Sequence, residues 1–430
     1  MNPERPLEGI RVLEYAQYVA GPLAGMLLAD LGAEVVKIEP PGGEAYRHLD
    51  PFAPGESRYF YALNRGKRSV ILDLRTEDGR RASQALIRQA DLILHNFSTE
   101  RARAFGLNWE TIRALNPQAV LCTVTAFGSQ GPMARKPAYD LIVQAFSGLL
   151  LTGAHPWDRL PVRAGGIPIV DLTAGLLMAM GALAGLFYRQ ATGTGLHVEV
   201  SLLAAALAVQ LQDVVWVEAV QGPPPIESSG QPIRPADLDR RAEEVALRLS
   251  LNPYYRCYQA QDGFLAVACL NQRQREAMLQ MFGLQDPAVG DPDKIPEDPA
   301  ERAQRQALVR EIEAHIAAWP VAFWLDQFEA HGIPCAPVRS LRSLYRDPQV
   351  WANHLLTILQ QPGVGPVWAL GSLWHLNGRP NSIGNRIPNC GEHTRAVLTA
   401  EEGTHGTANS SRNSDGGTNL LTSAGGLEAP

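Results

Sequence analysis

Asp171 is placed where a side-chain carboxylate could act as a nucleophile. It follows the glycine pair Gly165-Gly166 and an apolar run at 167–170, and a long helical pattern begins after it. At a helix start, the dipole and free backbone N–H groups favour a carboxylate, can orient it and can stabilise an oxyanion. Asp is also a preferred N-cap residue. The residues alone therefore leave a nucleophile and a helix cap as equal alternatives.

A second candidate site lies in the segment Asp-Leu-Ile-Leu-His-Asn-Phe at 91–97. The pattern predicts a buried strand that ends in His95, Asn96 and Phe97. Ligands of open α/β sheets gather at the carboxyl ends of strands, so these side chains are candidate contacts. Asn96 could instead simply start a turn, and the spacing alone favours that alternative.

The glycines Gly21 and Gly25 lie between two predicted strands, the second of which ends in Glu39. A strand, a glycine turn, a helix and a strand ending in an acid is the outline of a dinucleotide-binding unit, with Glu39 on a ribose. The full G-x-G-x-x-G pattern is missing, and Pro22 removes a backbone N–H that could face a pyrophosphate. A scaffold unit is therefore favoured over an NAD or FAD site.

Other classes of function find little support in the composition. The ten histidines and five cysteines are dispersed without metal-ligand or C-x-x-C spacing, so we expect no metal site and no permanently bound cofactor. The net charge of −6 gives no reason to expect nucleic acid or an anionic membrane as a partner. The apolar stretch at 172–187 is broken by glycines and predicts a buried helix, and we expect a cytoplasmic enzyme.

The elements that must position these residues alternate along the N-terminal half. Predicted strands at 10–15, 34–39, 70–74, 92–95 and 120–124 are separated by helical patterns at 23–31, 76–89 and 109–115, which is typical of a parallel sheet with crossover helices. A hairpin at 254–259 and 264–270 and helices at 302–318 and 321–330 predict a second, smaller unit. We expect a large domain at 1–221, a small domain at 222–330, a C-terminal part of the large domain at 331–402 and a disordered tail at 403–430.

The chain resembles the class III CoA-transferases, the family that includes formyl-CoA transferase and carnitine CoA-transferase. The resemblance runs from about Leu7 to Leu398. The matching segments include LGAEVVKIE at 31–39, ADLILHNF at 90–97, FGSQGP at 127–132, GTGLHV at 193–198 and GIPCAPV at 332–338.

This resemblance implies a mechanism and a fold. The family's nucleophilic aspartate matches Asp171, in the segment IVDLTAG at 169–175. It implies transfer of CoA from an acyl-CoA to a free carboxylic acid through an aspartyl anhydride and an aspartyl-CoA thioester. The implied fold is α/β, with a Rossmann-like parallel-sheet large domain, a smaller α+β domain and two subunits interlocked like linked rings in a homodimer.

The resemblance also implies contacts with CoA, which would bind as a substrate. The positions that match family CoA contacts are Ala20, Leu72, Arg75, Asn96, Phe97, Lys136, Tyr139 and Asp140. The chain departs from formyl-CoA transferase at Val19, Pro40 and Ala104, where that enzyme has a glutamine, an arginine and a phosphate-binding arginine, although Arg101 and Arg103 are close by. Formate or oxalate is therefore not expected as a substrate.

Two other functions remain as alternatives. An α-methylacyl-CoA racemase resembles the chain, but its proton shuttle needs a histidine at the place of Tyr139. Its second motif reads Asp-Phe-Gly-Gly, whereas this chain reads Asp171-Leu-Thr-Ala. Both differences favour the transferase. A non-catalytic binder of CoA esters has no need of a nucleophile, so the presence of Asp171 argues against it.

Overall fold

The computed structural model describes residues 4–152, 160–161, 163–223 and 234–399. The predicted tail at 403–430 and most of the proline-rich segment after Gly222 lie outside the described residues. The strands are β1 Arg11–Glu14, β2 Glu34–Glu39, β3 Pro51–Ala53, β4 Glu56–Ser57, β5 Arg68–Ile71, β6 Leu92–His95, β7 Val120–Thr125, β8 His197–Ser201, β9 Tyr255–Ala260, β10 Gly263–Ala268, β11 Cys335–Pro337, β12 Leu356–Gln361, β13 Gly365–Leu370, β14 His375–Leu376 and β15 Arg379–Pro380.

The helices fall mainly between these strands, and β2, β6 and two helices have the bounds that the sequence predicted. They are α1 Ala20–Asp30, α2 Arg58–Tyr61, α3 Glu77–Arg88, α4 Thr99–Phe105, α5 Trp109–Leu115, α6 Asp140–Phe146, α7 Ile169–Thr192, α8 Leu202–Ala208, α9 Leu211–Val214, α10 Glu218–Gln221, α11 Pro235–Leu251, α12 Gln272–Phe282, α13 Pro299–Ala317, α14 Val321–Ala330 and α15 Pro348–Ala352.

The largest sheet has six parallel strands in the order β5-β2-β1-β6-β7-β8. This confirms the predicted α/β class with a Rossmann-like parallel sheet. The chain adds β2 and β5 on one side of β1. It then crosses to the other side of β1, where β6, β7 and β8 follow in order. In open α/β sheets, such a reversal of strand order opens a crevice at the carboxyl ends of the two central strands.

Helices cover both faces of this sheet. Alternate side chains of a strand point to opposite faces, so Val12 packs with α1 and α7, whereas Leu13 packs with α3 and α5. Gly175 allows α7 to lie close to the start of α1, because a Cβ at this position would be 2.7 Å from the Ala20 backbone oxygen. The beginnings of α1 and α7 are thereby held side by side.

A smaller antiparallel sheet has the order β11-β10-β9 and packs against α12, α13 and α14. The sequence assigned residues 331–402 to the large domain, but β11 at the start of that range belongs to the smaller sheet, where Cys335 pairs with Val267 of β10. The short connection from α14 returns the chain directly to this sheet. The domain boundaries as such stay predictions.

The C-terminal segment lies against β5 at the edge of the large sheet. His393 donates its backbone N–H to the Ser69 carbonyl at 2.9 Å, and Ile71 donates its N–H to the Thr394 hydroxyl oxygen at 3.0 Å. Val397 is buried in the same apolar cluster as Val70. The chain beyond residue 390 therefore covers an edge strand that would otherwise expose its backbone groups.

Helix α7 is long and apolar enough to cross a membrane by length and composition. In the structure its inner face, including Ala174 and Met178, is buried against the sheet and α1. Its outer face leaves Met180 66% and Phe187 73% exposed. The prediction of a buried helix is therefore met on one face only.

Candidate functional site

A cavity of about 300 Å³ opens at the crevice between β1 and β6. Its walls come from the turn after β1, the turn after β6, the end of β7, the loop before α6 and the first turn of α7. Six of the nine predicted site residues line it: Ala20, Asn96, Phe97, Lys136, Tyr139 and Asp171. The structure therefore brings together four segments that are separated in the sequence.

Asp171 is in the first turn of α7, and the N-cap position of that helix is Pro168. Asp171 is not the N-cap residue, so the helix-cap alternative is wrong. Burial, and after it the negative charge of Asp140, raises the pKa of Asp171 from its ordinary value of 3.8 to about 7. A carboxylate that is desolvated and lies beside a second carboxylate is an arrangement found at functional sites.

Asp140 lies behind Asp171 and lines neither cavity of the large domain. Its Oδ1 accepts the backbone N–H groups of Val170 at 2.9 Å and Asp171 at 3.1 Å. Its Oδ2 accepts the side-chain amide of Gln144 at 2.5 Å. The family resemblance implied that Asp140 contacts CoA. In this structure the Asp140 carboxylate fixes the start of α7, because free N–H groups at a helix start need acceptors.

Asn96 joins the ends of the two central strands. Its Oδ1 accepts the Gln17 backbone N–H at 3.1 Å, and its Nδ2 donates to the Gln17 carbonyl at 2.7 Å. This paired contact holds the turn after β1 against the turn after β6. The side chain borders the cavity, but both of its polar atoms already have partners on the protein.

Three tyrosines pack together beside the site, and two of them, Tyr18 and Tyr139, line the cavity; we call the three the tyrosine wall. The Tyr18 ring lies 5.5 Å from the Tyr46 ring and 5.7 Å from the Tyr139 ring, measured between centroids. Tyr18 has a φ of 68°, a left-handed conformation that is uncommon for a non-glycine residue. Burial, followed by the charge of Asp171, raises the pKa of Tyr46 to about 12, which places Tyr46 near that carboxylate. No pattern in the sequence indicated Tyr18 or Tyr46 as residues of the site.

A group of buried charges supports the turn that carries Tyr18. Lys37 Nζ lies 2.7 Å from Glu14 Oε1 and 3.3 Å from Glu44 Oε1, and it donates to the Ala16 carbonyl at 2.9 Å. Lys67 Nζ lies 2.7 Å from the other Glu14 oxygen. We call Glu14, Lys37, Glu44 and Lys67 the buried charge cluster. Glu44 Oε2 accepts the Tyr18 N–H at 3.1 Å, so the cluster reaches the cavity wall.

Glu39 has no free oxygen for a nucleotide ribose. Its carboxylate accepts hydrogen bonds from Arg47 at 2.7 and 2.8 Å and from the Ser69 hydroxyl at 2.6 Å. The side chain is also buried. The dinucleotide alternative, which needed Glu39 on a ribose, is therefore wrong.

A second cavity of about 180 Å³ adjoins the first and contains the predicted residues Leu72 and Arg75. Arg75 makes two hydrogen bonds of 2.8 Å to Asp73. The two cavities share Gln17, Phe97 and Arg101. The family resemblance indicated Arg101 only as a residue close to Ala104. The structure places Arg101 between the two cavities.

The site therefore combines a carboxylate of near-neutral pKa with two adjoining cavities at a helix start. Such a carboxylate can act as a nucleophile or as a general base. Among residues 4–152, 160–161, 163–223 and 234–399, no group of three His, Cys, Asp or Glu side chains is arranged to hold a metal ion.

Comparison with known proteins gives consistent matches over most of the chain. A family model described as CoA-transferase family III matches residues 7–394. The succinate–glutarate CoA-transferase of Agrobacterium fabrum is 31% identical over 413 residues, which cover 93% of this chain and 97% of that protein. The acetyl-CoA:oxalate CoA-transferase of Acetobacter aceti is 32% identical over 357 residues, which cover 83% of this chain and 86% of that protein. The crystal structure of a CaiB/BaiF family protein from Brucella suis matches with a TM-score of 0.72 and 28% identity, covering 92% of this chain and 99% of that one.

Proposed function

This chain belongs to CoA-transferase family III, and from that premise we propose that Asp171 carries the transferred groups covalently. The observation that supports this proposal is the place of Asp171, which lines the cavity between the central strands and is free of any capping role. Its substrates are an acyl-CoA and a free carboxylic acid.

The proposed reaction has two matched halves. The Asp171 carboxylate attacks the thioester carbonyl, the C–S bond breaks, and CoA thiolate leaves a mixed anhydride on the protein. The thiolate then attacks the aspartyl carbonyl, which releases the first acid and forms an aspartyl-CoA thioester. The acceptor carboxylate repeats both exchanges in reverse and restores Asp171. At every stage one carboxyl group is held as a thioester or an anhydride, so its activation is conserved and no ATP is consumed.

The surrounding residues serve this chemistry in two ways. Asp140 fixes the first turn of α7 and so holds the Asp171 backbone in place. The tyrosine wall covers the site beside Asp171, and exclusion of water protects an anhydride or thioester from hydrolysis. The raised pKa of Asp171 reflects the same desolvation.

The acceptor is proposed to be a dicarboxylic acid longer than oxalate, such as succinate or glutarate. The two curated relatives are named for succinate, glutarate and oxalate, all of which are dicarboxylic acids. The expectation that formate and oxalate are poor substrates stays a prediction. The test is to incubate the protein with succinyl-CoA or acetyl-CoA and a panel of mono- and dicarboxylic acids, and to follow new CoA esters by mass. Transfer to monocarboxylic acids alone would contradict the proposed acceptor class.

The rate is expected to rise with pH around neutrality. Asp171 must be ionised to attack, and its pKa is raised to about 7 by burial and then by Asp140. Below that pH the carboxyl group is protonated and is a poor nucleophile. The pH profile of kcat/KM, which reports the free enzyme, should therefore show an acidic limb near 7. A profile that is flat between pH 5 and 8 would contradict this assignment.

The Asp140→Asn variant tests whether the negative charge of Asp140 contributes to the raised pKa of Asp171. Asparagine keeps an oxygen that can accept the two N–H groups at the start of α7, but it removes the negative charge. The acidic limb should move to lower pH, by less than the whole shift, because burial is the larger cause. A limb that stays in place would show that the charge of Asp140 does not act on Asp171.

We further propose that the chain forms a homodimer of interlocked subunits. The support is the apolar outer face of α7, with Met180 and Phe187, together with Leu211 and Val220, which are 64% and 82% exposed. Large exposed apolar areas of this kind mark contact surfaces. Sedimentation equilibrium should give twice the mass of the chain, and a monomer at micromolar concentration would contradict the proposal. The cytoplasmic location stays a prediction.

A further inference from the structure

Arg101 is the cationic residue that the two cavities have in common. We propose that its guanidinium group binds the phosphate groups of CoA at the junction of the cavities. The adenosine end then lies in the second cavity, and the pantetheine arm runs through the first to Asp171. This inference rests on the proposed function and adds the residue that recognises the charged part of the substrate.

The guanidinium group is held by aromatic rings. Its central carbon lies 4.6 Å from the centroid of the Phe97 ring and 5.4 Å from that of Phe105. The two rings pack edge to face, with centroids 5.7 Å apart. A cation–π contact holds a guanidinium group without using its N–H groups as hydrogen-bond donors, so these stay available for the oxygens of a phosphate.

Arg101 has no competing carboxylate. Within the part of the chain that the structure describes, no Asp or Glu lies within ion-pair distance of its guanidinium group. Arg75 is bound by Asp73, and the Arg135 guanidinium lies 3.8 Å from Glu100. Lys136 borders the first cavity only. Arg101 is therefore the cation that combines the shared position with unpaired N–H groups.

The two cavities on either side of Arg101 have different linings, and each lining suits a different end of CoA. The second cavity is lined by the apolar side chains of Ile38, Pro40, Leu72 and Leu74, which suit a flat base. The first cavity contains Asp171, the proposed site of thioester attack. A ligand that spans both cavities must pass Arg101, and in CoA the phosphates lie between the base and the thioester.

The test compares two thioesters of the same acid, one of CoA and one of pantetheine, which has no phosphate. The test variant is Arg101→Gln, which keeps a long stem but removes the charge. The matched control is Arg103→Ala. Arg103 lies on the same helix as Arg101 but outside both cavities, and its positive charge interacts with Glu110. For Arg101→Gln, kcat/KM should fall about 10- to 100-fold with the CoA thioester, mainly through KM, and stay unchanged with the pantetheine thioester.

Arg101→Lys should recover part of the loss, because it restores the charge without the planar fork. An equal loss with both thioesters, or no loss with either, would overturn the inference, since a merely structural role does not distinguish them. If the wild type transfers no CoA at all, the proposed function fails instead. Calorimetric titration of CoA and pantetheine into wild type and Arg101→Gln then still decides the phosphate contact.

Discussion

Asp171→Asn should reduce CoA transfer by at least about four orders of magnitude, because it removes the proposed nucleophile and keeps the shape of the side chain. Steady-state turnover with an acyl-CoA and a free acid measures this loss. The matched control is Asp239→Asn, an exposed position on α11 that contacts neither cavity. The control should keep wild-type turnover.

The same substitution should make the folded protein more stable. The pKa of Asp171 is raised from 3.8 to about 7 in the folded state, so the unfolded chain binds the proton less tightly than the folded protein. The ionised group therefore lowers stability as the pH rises from 3.8 to 7, and its full penalty is present above 7. Asparagine removes that penalty, which is at most about 4 kcal/mol.

Urea unfolding at two pH values measures this effect. The gain in unfolding free energy from Asp171→Asn should be larger at pH 8.5 than at pH 5.5, and Asp239→Asn should show no gain at either. An inactive variant that is also less stable would indicate a structural role for Asp171. A variant with normal turnover would remove the nucleophile assignment altogether.

Lys37→Met should destabilise the folded protein by about 3–5 kcal/mol, because it leaves buried carboxylates without their partner. The Lys37 side chain is fully buried between Glu14 and Glu44, and its pKa is raised by these carboxylates despite the opposing effect of burial. After the substitution, Lys67 remains as the one cation of the buried charge cluster. Methionine fills a similar volume, so a cavity does not explain the loss.

Chemical denaturation of the variant and of Lys294→Met checks this prediction. Lys294 is exposed, so its substitution should change stability by less than about 0.5 kcal/mol. If the unfolding free energy of Lys37→Met is within about 1 kcal/mol of the wild-type value, the buried charge cluster does not hold the turn after β1. In a stable but altered variant, KM for the acyl-CoA should rise, because Glu44 also accepts the Tyr18 N–H.

The sequence predicted the elements whose patterns are local. The apolar runs of β2 and β6 gave those strands with their observed bounds, and the segment after β6 indicated Asn96 and Phe97 as residues of the crevice. Asp171 was found because a carboxylate beside glycines and before a helix is a local signal. Its choice over the helix cap came from the family resemblance and is supported by Pro168 at the N-cap position.

The remaining features depend on contacts between distant segments. Lys37 lies in a strand, where a lysine usually reaches solvent, and only the folded chain brings Glu14 and Glu44 to it. Asp140 matched a family contact, but its position behind Asp171 depends on how α6 meets α7. Arg101 faces both cavities because two phenylalanine rings hold it there, and spacing along α4 does not show this.

The central claim is that Asp171 carries a covalent intermediate, and mass spectrometry of the enzyme quenched during turnover tests it most directly. Incubation with an acyl-CoA should yield a CoA or acyl adduct on the peptide that contains Asp171. Hydroxylamine should remove it, and Asp171→Asn should never form it. The absence of any adduct, together with exchange of the substrate's α-proton in deuterated water, would contradict the account and favour the racemase.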